Sequence, residues 1–319
     1  MKNENHFDSV IIGAGPAGLT AGIYLSRAKI RTLILDEGIA GGQMILTHEI
    51  ANYPGVESIS GFHLAGIMKK QAVSFGCEIR SGIKIRELVL EDKRKEITLS
   101  DGSVYTTDSV ILAPGGRPKS LGIPGEDSLK GKGISYCATC DGDFFTDKKV
   151  IIVGGGNSAL EEAVSLTKYA SRVTIIHQFD HFQAFEHAVE EAENNPKIDF
   201  ILESAVAGFY GEEKLEKAEI RNLRTGAITS IVIDGAFIFI GYTPNTGFLK
   251  GKINLNQRGE VIVSTSMETS IAGVFAAGDC TEKQFRQITT AVSDGTIAAL
   301  ASSDFVNKIM IRRKKLIEA

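Results

Sequence analysis

The chain repeats one local pattern, an apolar strand followed by a glycine-rich turn and a helix, at residues 9–27 and again at residues 149–169. After each helix a further apolar run follows, at 32–35 in the first copy and at 173–176 in the second. A strand, a glycine turn, a helix and a parallel return strand make up the Rossmann-like nucleotide-binding unit. The repeat therefore predicts an α/β protein with two Rossmann-like domains.

Length and composition agree with two soluble domains. The chain has 319 residues, of which 43% are hydrophobic and 23% charged, which excludes a disordered or fibrous protein. The net charge of −4 excludes a general nucleic-acid or anionic-membrane binder. The uncharged run at 9–26 has the length of a membrane span, but its glycines fit a strand, turn and helix better. With no targeting segment and no disulfide framework, we expect a cytoplasmic protein.

The second copy of the pattern is expected to be inserted into the first domain. Stretches at 97–105, 218–231 and 261–263 have the composition of antiparallel β-meanders. A late apolar segment at 273–279 predicts a buried strand that completes the first domain, followed by a helix over about 287–303. The predicted fold is thus two three-layer (ββα) domains, one formed by residues 1–115 and 242–319 and the other by residues 116–241.

The first glycine turn has the form that binds the pyrophosphate of a dinucleotide. Its glycines allow a tight turn and leave the first amides of the following helix facing the phosphates. Asp36 stands 23 residues after Gly13, where an acid accepts hydrogen bonds from ribose hydroxyls. Glycines that only permitted close helix packing would leave this acid unexplained. The predicted dinucleotide-binding residues are Gly13, Gly15, Pro16, Ala17, Gly18 and Asp36.

Cys137 and Cys140 form a CxxC pair whose thiols can close a reversible disulfide within one helical turn. A zinc site is the first alternative, but it normally needs four ligands, and no metal site is predicted here. The second alternative is a pair of buried cysteines without chemical activity. Redox use is favoured because Asp141 follows directly and offers a carboxyl group that can deliver a proton to a leaving thiolate or to a reduced flavin. Cys77 and Cys280 are expected to be core residues.

In the order of these motifs the sequence resembles the low-molecular-weight thioredoxin reductases. The resemblance covers nearly the whole chain and includes the glycine turn, the segments Gly41-Gly42-Gln43 and 52–55, and the sequence 137–141. It implies FAD, a homodimer, and electron transfer from the flavin through Cys137 and Cys140 to thioredoxin. It further implies that Cys140 lies beside the flavin, Cys137 attacks thioredoxin and Asp141 is the acid. The additional residues that it implies for flavin binding are Gly42, Gln43, Asn52, Gly278, Asp279, Arg286 and Gln287.

The second glycine turn departs from the pattern of an NADPH site. His177 stands 23 residues after Gly154, where an NAD site has an acid and an NADP site has arginines. The NADPH-dependent members of the family carry a His-Arg-Arg run, and this chain has His177-Gln178-Phe179. Residues 173–196 contain no Lys or Arg and five acids. The sequence therefore predicts that the second domain keeps its fold but has lost the 2′-phosphate site.

The electron donor follows from this loss. The sequence looks most similar to the ferredoxin-dependent flavin thioredoxin reductases, which implies reduced ferredoxin as the donor. The basic residues Lys308, Arg312, Arg313, Lys314 and Lys315 could dock an acidic donor, or could simply solvate a C-terminal helix. Two alternatives stay open: a reductase that binds NAD(P)H atypically, and a flavin-binding redox sensor that never turns over a substrate.

Overall fold

A computed structural model describes residues 5–47 and 50–318. The chain forms two compact units, one made of Met1–Arg117 and Thr243–Ala319 and the other of Pro118–Tyr242. No helix within the described residues combines the length and apolar character that a membrane crossing requires.

Seventeen strands follow one another along the described chain: β1 (His6–Ile12), β2 (Thr32–Asp36), β3 (Glu78–Ser81), β4 (Ile85–Leu90), β5 (Lys95–Leu99), β6 (Val104–Leu112), β7 (Gly116–Pro118), β8 (Ile134–Ser135), β9 (Lys149–Val153), β10 (Arg172–Ile176), β11 (Ile198–Ile201), β12 (Ser204–Tyr210), β13 (Lys217–Asn222), β14 (Ile228–Val232), β15 (Gly235–Ile238), β16 (Tyr242–Pro244) and β17 (Val274–Ala276).

The α-helices in the same part of the chain are α1 (Pro16–Arg27), α2 (Gly61–Ser74), α3 (Ala138–Asp141), α4 (Asn157–Leu166), α5 (Glu186–Glu193) and α6 (Ile288–Glu318). Short 3-10 turns occur at Gly42–Leu46, Gly142–Phe145 and Gly247–Leu249. Strands β7 and β16, which contain the two chain crossings between the units, pair in a two-stranded sheet.

The discontinuous unit is built on a seven-stranded sheet with the order β3-β2-β1-β6-β5-β4, to which β17 is added beside β6. Strand β6 pairs with β5 in antiparallel fashion through residues 104–106 and with β17 in parallel through residues 110–112. The late segment therefore completes the first domain, as the sequence predicts. Helix α1 buries Leu19 and Leu25 in the same core as Ile34, and α6 packs beside α1.

The inserted unit contains an all-parallel sheet with the order β11-β10-β9-β15-β8 and an antiparallel meander β12-β13-β14. Its core joins Ile152 of β9, Leu160 of α4 and Phe237 of β15, all fully buried. Parallel strands covered by helices read as nearly continuous apolar runs, which explains why this repeat is visible in the sequence.

Two sequence predictions about secondary structure are wrong. Residues 261–263 form no strand, and Val261 makes only isolated bridges to Leu255 and Thr281. The final helix continues far beyond residue 303, to Glu318, because no glycine or proline interrupts the chain after Gly295.

In the basic end of α6, Arg313 binds a carboxylate of the first unit. The guanidinium of Arg313 donates two hydrogen bonds of 2.7 Å to the carboxylate of Asp108, which is buried. Asp108 also belongs to a cluster with His6 and Asp8 that has the spacing of a metal site. Because the Arg313 cation already neutralises Asp108, we assign the cluster to anchoring the helix.

Candidate active site

The first glycine turn is shaped by contacts that exclude a side chain. Gly13 has φ +108°, its amide donates to the Leu35 carbonyl at 2.8 Å, and a Cβ there would overlap the carbonyl oxygen of Ala113. A Cβ on Gly18 would overlap the carbonyl oxygen of Gly13. The end of β1 and the start of α1 can therefore lie this close only with glycines at both positions.

The start of α1 faces a second glycine segment. Gly15 is the N-cap of α1, and a Cβ on Gly42 would lie 3.1 Å from the Gly15 Cα. The Gly41 amide fixes this approach by donating to the Ala14 carbonyl at 2.7 Å. Glycine backbone therefore lies at this end of the helix, where amide donors and the helix dipole favour an anion such as a pyrophosphate.

Asp36 lies at the end of β2 beside the same turn. Its two carboxylate oxygens accept hydrogen bonds from the amides of Ala14, at 2.5 Å, and Gly38, at 2.7 Å. The structure thus brings together the predicted acid and the predicted glycine turn, and it fixes the carboxylate through the backbone.

The end of β17 forms the next wall of this cradle. Gly278 has φ +80°, and a Cβ there would lie 2.9 Å from the Cβ of Ala17. Its amide donates to Asp294 of α6 at 3.0 Å, and Asp294 also pairs with Lys283. Asp279 therefore follows a backbone position that is held beside the start of α1.

Sequence reasoning missed Asp294 and Gly295. A Cβ on Gly295 would overlap the carbonyl oxygen of Ala17, so the two helices α6 and α1 meet through this glycine. The available signal was the Asp-Gly pair inside a helical stretch, where both residues have low helix propensity.

The other four residues predicted to contact the flavin have different surroundings in the structure. Asn52 Nδ2 donates to Gln287 Oε1 at 3.4 Å, which brings these two together. The guanidinium of Arg286 forms an ion pair with Glu260, a buried carboxylate. Gln43 lies exposed on the 3-10 turn Gly42–Leu46. The roles of these four residues in flavin binding stay predictions.

In the inserted unit Cys137 and Cys140 form a disulfide, with 5.3 Å between their Cα atoms. Cys137 is the N-cap of the single-turn helix α3, and its Sγ accepts a hydrogen bond from the Cys140 amide at 3.2 Å. Each cysteine is partly exposed, so the pair is accessible for exchange. Cys77 and Cys280 are buried, which raises the pKa of each thiol to about 12 and confirms them as core residues.

Asp141 ends α3 and lies partly buried. Burial raises the pKa of its carboxyl group, the nearby charge of Asp143 raises it further, and a hydrogen bond from Ser135 lowers it. That bond runs from Ser135 Oγ to Asp141 Oδ2 over 2.5 Å. A raised pKa favours the protonated form of the carboxyl group, which suits Asp141 to donate a proton beside the redox disulfide.

The second glycine turn is closed by a side chain. His177, at the end of β10, is 5% exposed, and a Cβ on Gly155 would overlap its imidazole ring. The ring stacks on Phe182, with 5.7 Å between centroids and 24° between planes, and meets the edge of Phe179 at 5.3 Å. Burial lowers the pKa of His177, so the ring is neutral at pH 7.

The segment that carries these rings is bound across the turn. The amide of Gln183 donates to the Gly155 carbonyl at 2.8 Å, and the amide of Phe185 donates to Asn157 Oδ1 at 2.7 Å. Asn157 is the first residue of α4. The entrance to the start of α4 is therefore bordered by the protein's own backbone.

The nearest cations in the sequence point elsewhere. Arg172 pairs with Asp199, and Lys197 Nζ donates to the carbonyls of Thr167, at 2.7 Å, and Ala170, at 3.2 Å. Arg172 opens β10 and Lys197 precedes β11, so both lie at the amino ends of parallel strands. Nucleotides bind at the carboxyl ends.

Comparison with known proteins identifies the family. Residues 7–295 match the family described as pyridine nucleotide-disulphide oxidoreductase. The chain belongs to this family. The thioredoxin reductase of Peptoclostridium acidaminophilum is 45% identical, over 95% of this chain and 98% of that protein. A 34.2 kDa protein in a rubredoxin operon of Clostridium pasteurianum is 44% identical, over 96% and 99%. The crystal structure of thioredoxin reductase from Streptococcus pyogenes superposes with a TM-score of 0.89, at 39% identity, over 96% of this chain and 100% of that one.

This family member is an FAD flavoprotein of the low-molecular-weight thioredoxin reductase type. The first glycine turn fits the pyrophosphate of FAD, because the start of α1, Gly42 and the end of β17 form a cradle lined by backbone and small side chains. Asp36, for the ribose hydroxyls, and Asp279, for the ribityl and phosphate part, stay the predicted carboxylate contacts of the cofactor.

Proposed function

We propose that this flavoprotein transfers electrons from reduced ferredoxin, through FAD and the Cys137–Cys140 pair, to the disulfide of thioredoxin. One observation carries the choice of donor: beside the second glycine turn, Gln178 and Phe179 stand where the NADPH-dependent members carry arginines, and the Phe179 ring packs against His177.

The cost of binding NADPH at this turn supports the proposal. Each missing charge-assisted hydrogen bond costs roughly 1.5 to 3 kcal/mol, so the loss of two or three lowers affinity by roughly two to six orders of magnitude. The acids of α5, among them Glu186 and Glu190, add repulsion to a dianionic phosphate.

The electron and proton balance is simple. Two reduced ferredoxins, two protons and one thioredoxin disulfide give two oxidised ferredoxins and one thioredoxin dithiol. Bound FAD supplies the conversion of single electrons into the pair that a disulfide requires. A ferredoxin near about −400 mV and a thioredoxin near about −270 mV leave about 130 mV, or roughly 6 kcal/mol for two electrons.

The thiol–disulfide exchange is divided among three residues of the segment 137–141, called the redox turn from here on: Cys137, Cys140 and Asp141. Cys140 accepts the electron pair from the flavin side as the disulfide opens. The Cys137 thiolate attacks the thioredoxin disulfide and forms a mixed disulfide, which Cys140 then resolves. Asp141 protonates a leaving thiolate, a role that fits its raised pKa.

The basic end of α6 is not part of this proposal. Helix α6 begins at Ile288, next to Gln287, and rises about 1.5 Å per residue. Lys308 therefore lies about 30 Å along the axis from the residues predicted beside the flavin ring. Since Arg313 is also engaged with Asp108, a ferredoxin docked on this segment would be far from the flavin.

A homodimer is the proposed assembly. Helix α2 exposes Phe62, Ile67 and Val73, each more than half accessible, and it carries no Asp or Glu. Exposed apolar side chains of this size on one helix are typical of a subunit interface. Sedimentation velocity of the wild type and of Phe62→Glu tests this, and a monomeric wild type would contradict it.

The donor is tested by anaerobic bleaching of the flavin absorbance. We expect negligible bleaching by micromolar NADPH or NADH, and rapid bleaching by ferredoxin that has been reduced with dithionite and freed of it by gel filtration. The matched control is the same filtered buffer without ferredoxin. Fast bleaching by NADPH would contradict the proposal and return the chain to the NADPH-dependent reductases.

Turnover separates the reductase from a redox sensor. Reduced ferredoxin in excess should drive many cycles of thioredoxin reduction in the wild type. Cys137→Ser should leave a flavin that is still reduced but cannot pass electrons to thioredoxin. A wild type that accepts one pair of electrons and never cycles would favour the sensor instead.

A further inference from the structure

Ser135 connects Asp141 to the backbone of the redox turn. It is the last residue of β8, 6% exposed, and its Oγ lies 2.5 Å from Asp141 Oδ2. The same Oγ accepts a hydrogen bond from the Cys137 amide at 3.0 Å and lies 3.3 Å from the Cys137 carbonyl oxygen. One buried hydroxyl therefore contacts the acid on one side and the attacking cysteine's main chain on the other.

The hydrogen-bond capacity of a hydroxyl allows two arrangements here. A serine has one proton to donate and two lone pairs to accept. When Asp141 is ionised, Ser135 donates to its Oδ2. When Asp141 is protonated, the carboxylic acid donates to Ser135 Oγ, and the serine proton turns to the Cys137 carbonyl. In both arrangements the Cys137 amide still donates to Oγ, so no buried polar group of the network is left unsatisfied.

We propose that Ser135 is a positioning residue for the proton transfers of the redox turn, its hydroxyl reversing direction as Asp141 gains or loses a proton. The inference deepens the proposed function and rests on it. An unsatisfied buried acid would change its position or its protonation at each step. Ser135 keeps the carboxyl group in one place relative to Cys137 in both protonation states.

Each proton that moves during the thiol–disulfide exchange has a defined donor and acceptor. The Cys137 thiolate attacks one thioredoxin sulfur, and the sulfur that leaves takes the proton of Asp141. Ionised Asp141 then takes the proton of the Cys140 thiol. The Cys140 thiolate displaces the second thioredoxin sulfur from Cys137, and water protonates that sulfur. The Cys137–Cys140 disulfide forms, two electrons pass to thioredoxin, and Asp141 ends protonated as it began.

Other ionisable groups near the turn do not take this position. Asp143 follows in the next turn, is exposed and raises the pKa of Asp141 by its charge. Glu162 of α4 accepts a hydrogen bond from Thr139 at 3.5 Å, and burial raises its pKa as well. Tyr136 donates to Glu126 at 2.7 Å. Among these groups Ser135 is the one bonded to both Asp141 and Cys137.

The first experiment measures Asp141 without any turnover. The carboxyl carbon of Asp141 is titrated by NMR in the oxidised protein, with Asp141→Asn to assign its resonance. Ser135 stabilises the ionised form, so Ser135→Ala should raise the pKa of Asp141 by about one unit. Ser135→Thr, which keeps the hydroxyl, should restore it. Ser135→Val, which has the shape of threonine without its hydroxyl, is the matched comparison for Ser135→Thr and serves if the alanine variant does not fold. An unchanged titration in the variants without the hydroxyl overturns the inference.

The second experiment follows single-turnover oxidation of the Cys137–Cys140 dithiol by thioredoxin disulfide across pH. Ser135→Ala should shift the profile upward by about one pH unit, and the shift should vanish in the Asp141→Asn background. A uniform loss of rate without a shift would indicate a merely structural role and would overturn the inference. A wild type that does not reduce thioredoxin contradicts the proposed function, while the NMR titration still decides the role of Ser135.

Discussion

The imidazole of His177 lies directly against the backbone of Gly155, so that a methyl group on this glycine would overlap the ring. In a nucleotide-binding domain the space beside this turn belongs to the ribose and its phosphate. Here a neutral, buried imidazole stacked on Phe182 packs beside the turn, and Gln178 and Phe179 follow it where the NADPH-dependent members carry arginines.

The first prediction concerns this contact. Gly155→Ala should lower the free energy of unfolding of the inserted unit by about 1 to 3 kcal/mol, since the new methyl group meets the imidazole. Adding His177→Ala should relieve the overlap, so the double variant should lose less stability than the two single losses combined. Gly156→Ala is the control, because its Cβ would lie 3.9 Å from the nearest atom. Urea unfolding measures the wild type, the two single variants, the double variant and the control, and strict additivity would contradict the contact.

The second prediction separates folding from flavin binding. At Gly15 a Cβ would meet only ordinary contacts, with Gly42 Cα at 3.9 Å, and φ is −73°. Gly15→Val should therefore fold and yet lose FAD, because its side chain occupies the cradle at the start of α1. Gly13→Ala should disrupt folding itself, because φ is +108° and the Ala113 carbonyl blocks the methyl group.

The readouts for these glycines are the ratio of flavin to protein absorbance after gel filtration and the circular dichroism of the apoprotein. Gly66→Ala is the control, since this exposed glycine of α2 has open space around its Cβ position. Normal flavin content in Gly15→Val would place the pyrophosphate elsewhere.

The third prediction follows from the raised pKa of Asp141. Its folded-state pKa lies above its ordinary value of 3.8, so the stability linked to its proton is fully present below pH 3.8 and is lost as the pH rises through the folded pKa. Asp141→Asn removes this loss, so it should be more stable than the wild type at pH 7 and should lack reductase activity. The difference in melting temperature should shrink as the pH falls toward 3.8. A variant that is less stable at pH 7 would contradict the burial argument.

The fourth prediction concerns the end of α6. Arg313→Met should cost about 1 to 2 kcal/mol, because it leaves the buried carboxylate of Asp108 without its bidentate partner while the arginine itself is half exposed. Arg312→Met removes the same charge from the neighbouring exposed residue and should change stability by less than about 0.5 kcal/mol. Chemical denaturation compares the two, and equal effects would show that Arg313 contributes only net charge.

The sequence predicts those parts of this protein that local periodicity encodes. Apolar runs followed by glycine turns locate β1, β9 and the starts of α1 and α4, because a turn of this kind needs glycine within a few residues of the strand. The CxxC spacing locates the disulfide because the two cysteines are only three residues apart. In each case the interacting groups are close together along the chain.

Contacts between distant segments are not predicted in this way. Ser135 reaches Asp141 only because α3 folds back on the end of β8, and a single serine carries no pattern. Arg313 pairs with Asp108 across 205 residues, which no local rule connects, and it was interpreted only as part of a basic run. Residues 261–263 have a strand composition but form only isolated bridges. Strand composition predicts a strand only where a neighbouring strand is available to pair with it.

The discontinuous unit can be completed only after the inserted unit has been synthesised. Pro118–Tyr242 is continuous and leaves the ribosome before Thr243–Ala319. The inserted unit can therefore fold while the discontinuous unit still lacks β17 and α6. Until then one side of β6 has no partner for residues 110–112, and α1 has no α6 beside it. On the proposed site, FAD can bind only after Gly278 has been synthesised, since this residue forms one wall of the cradle and follows the inserted unit in the chain.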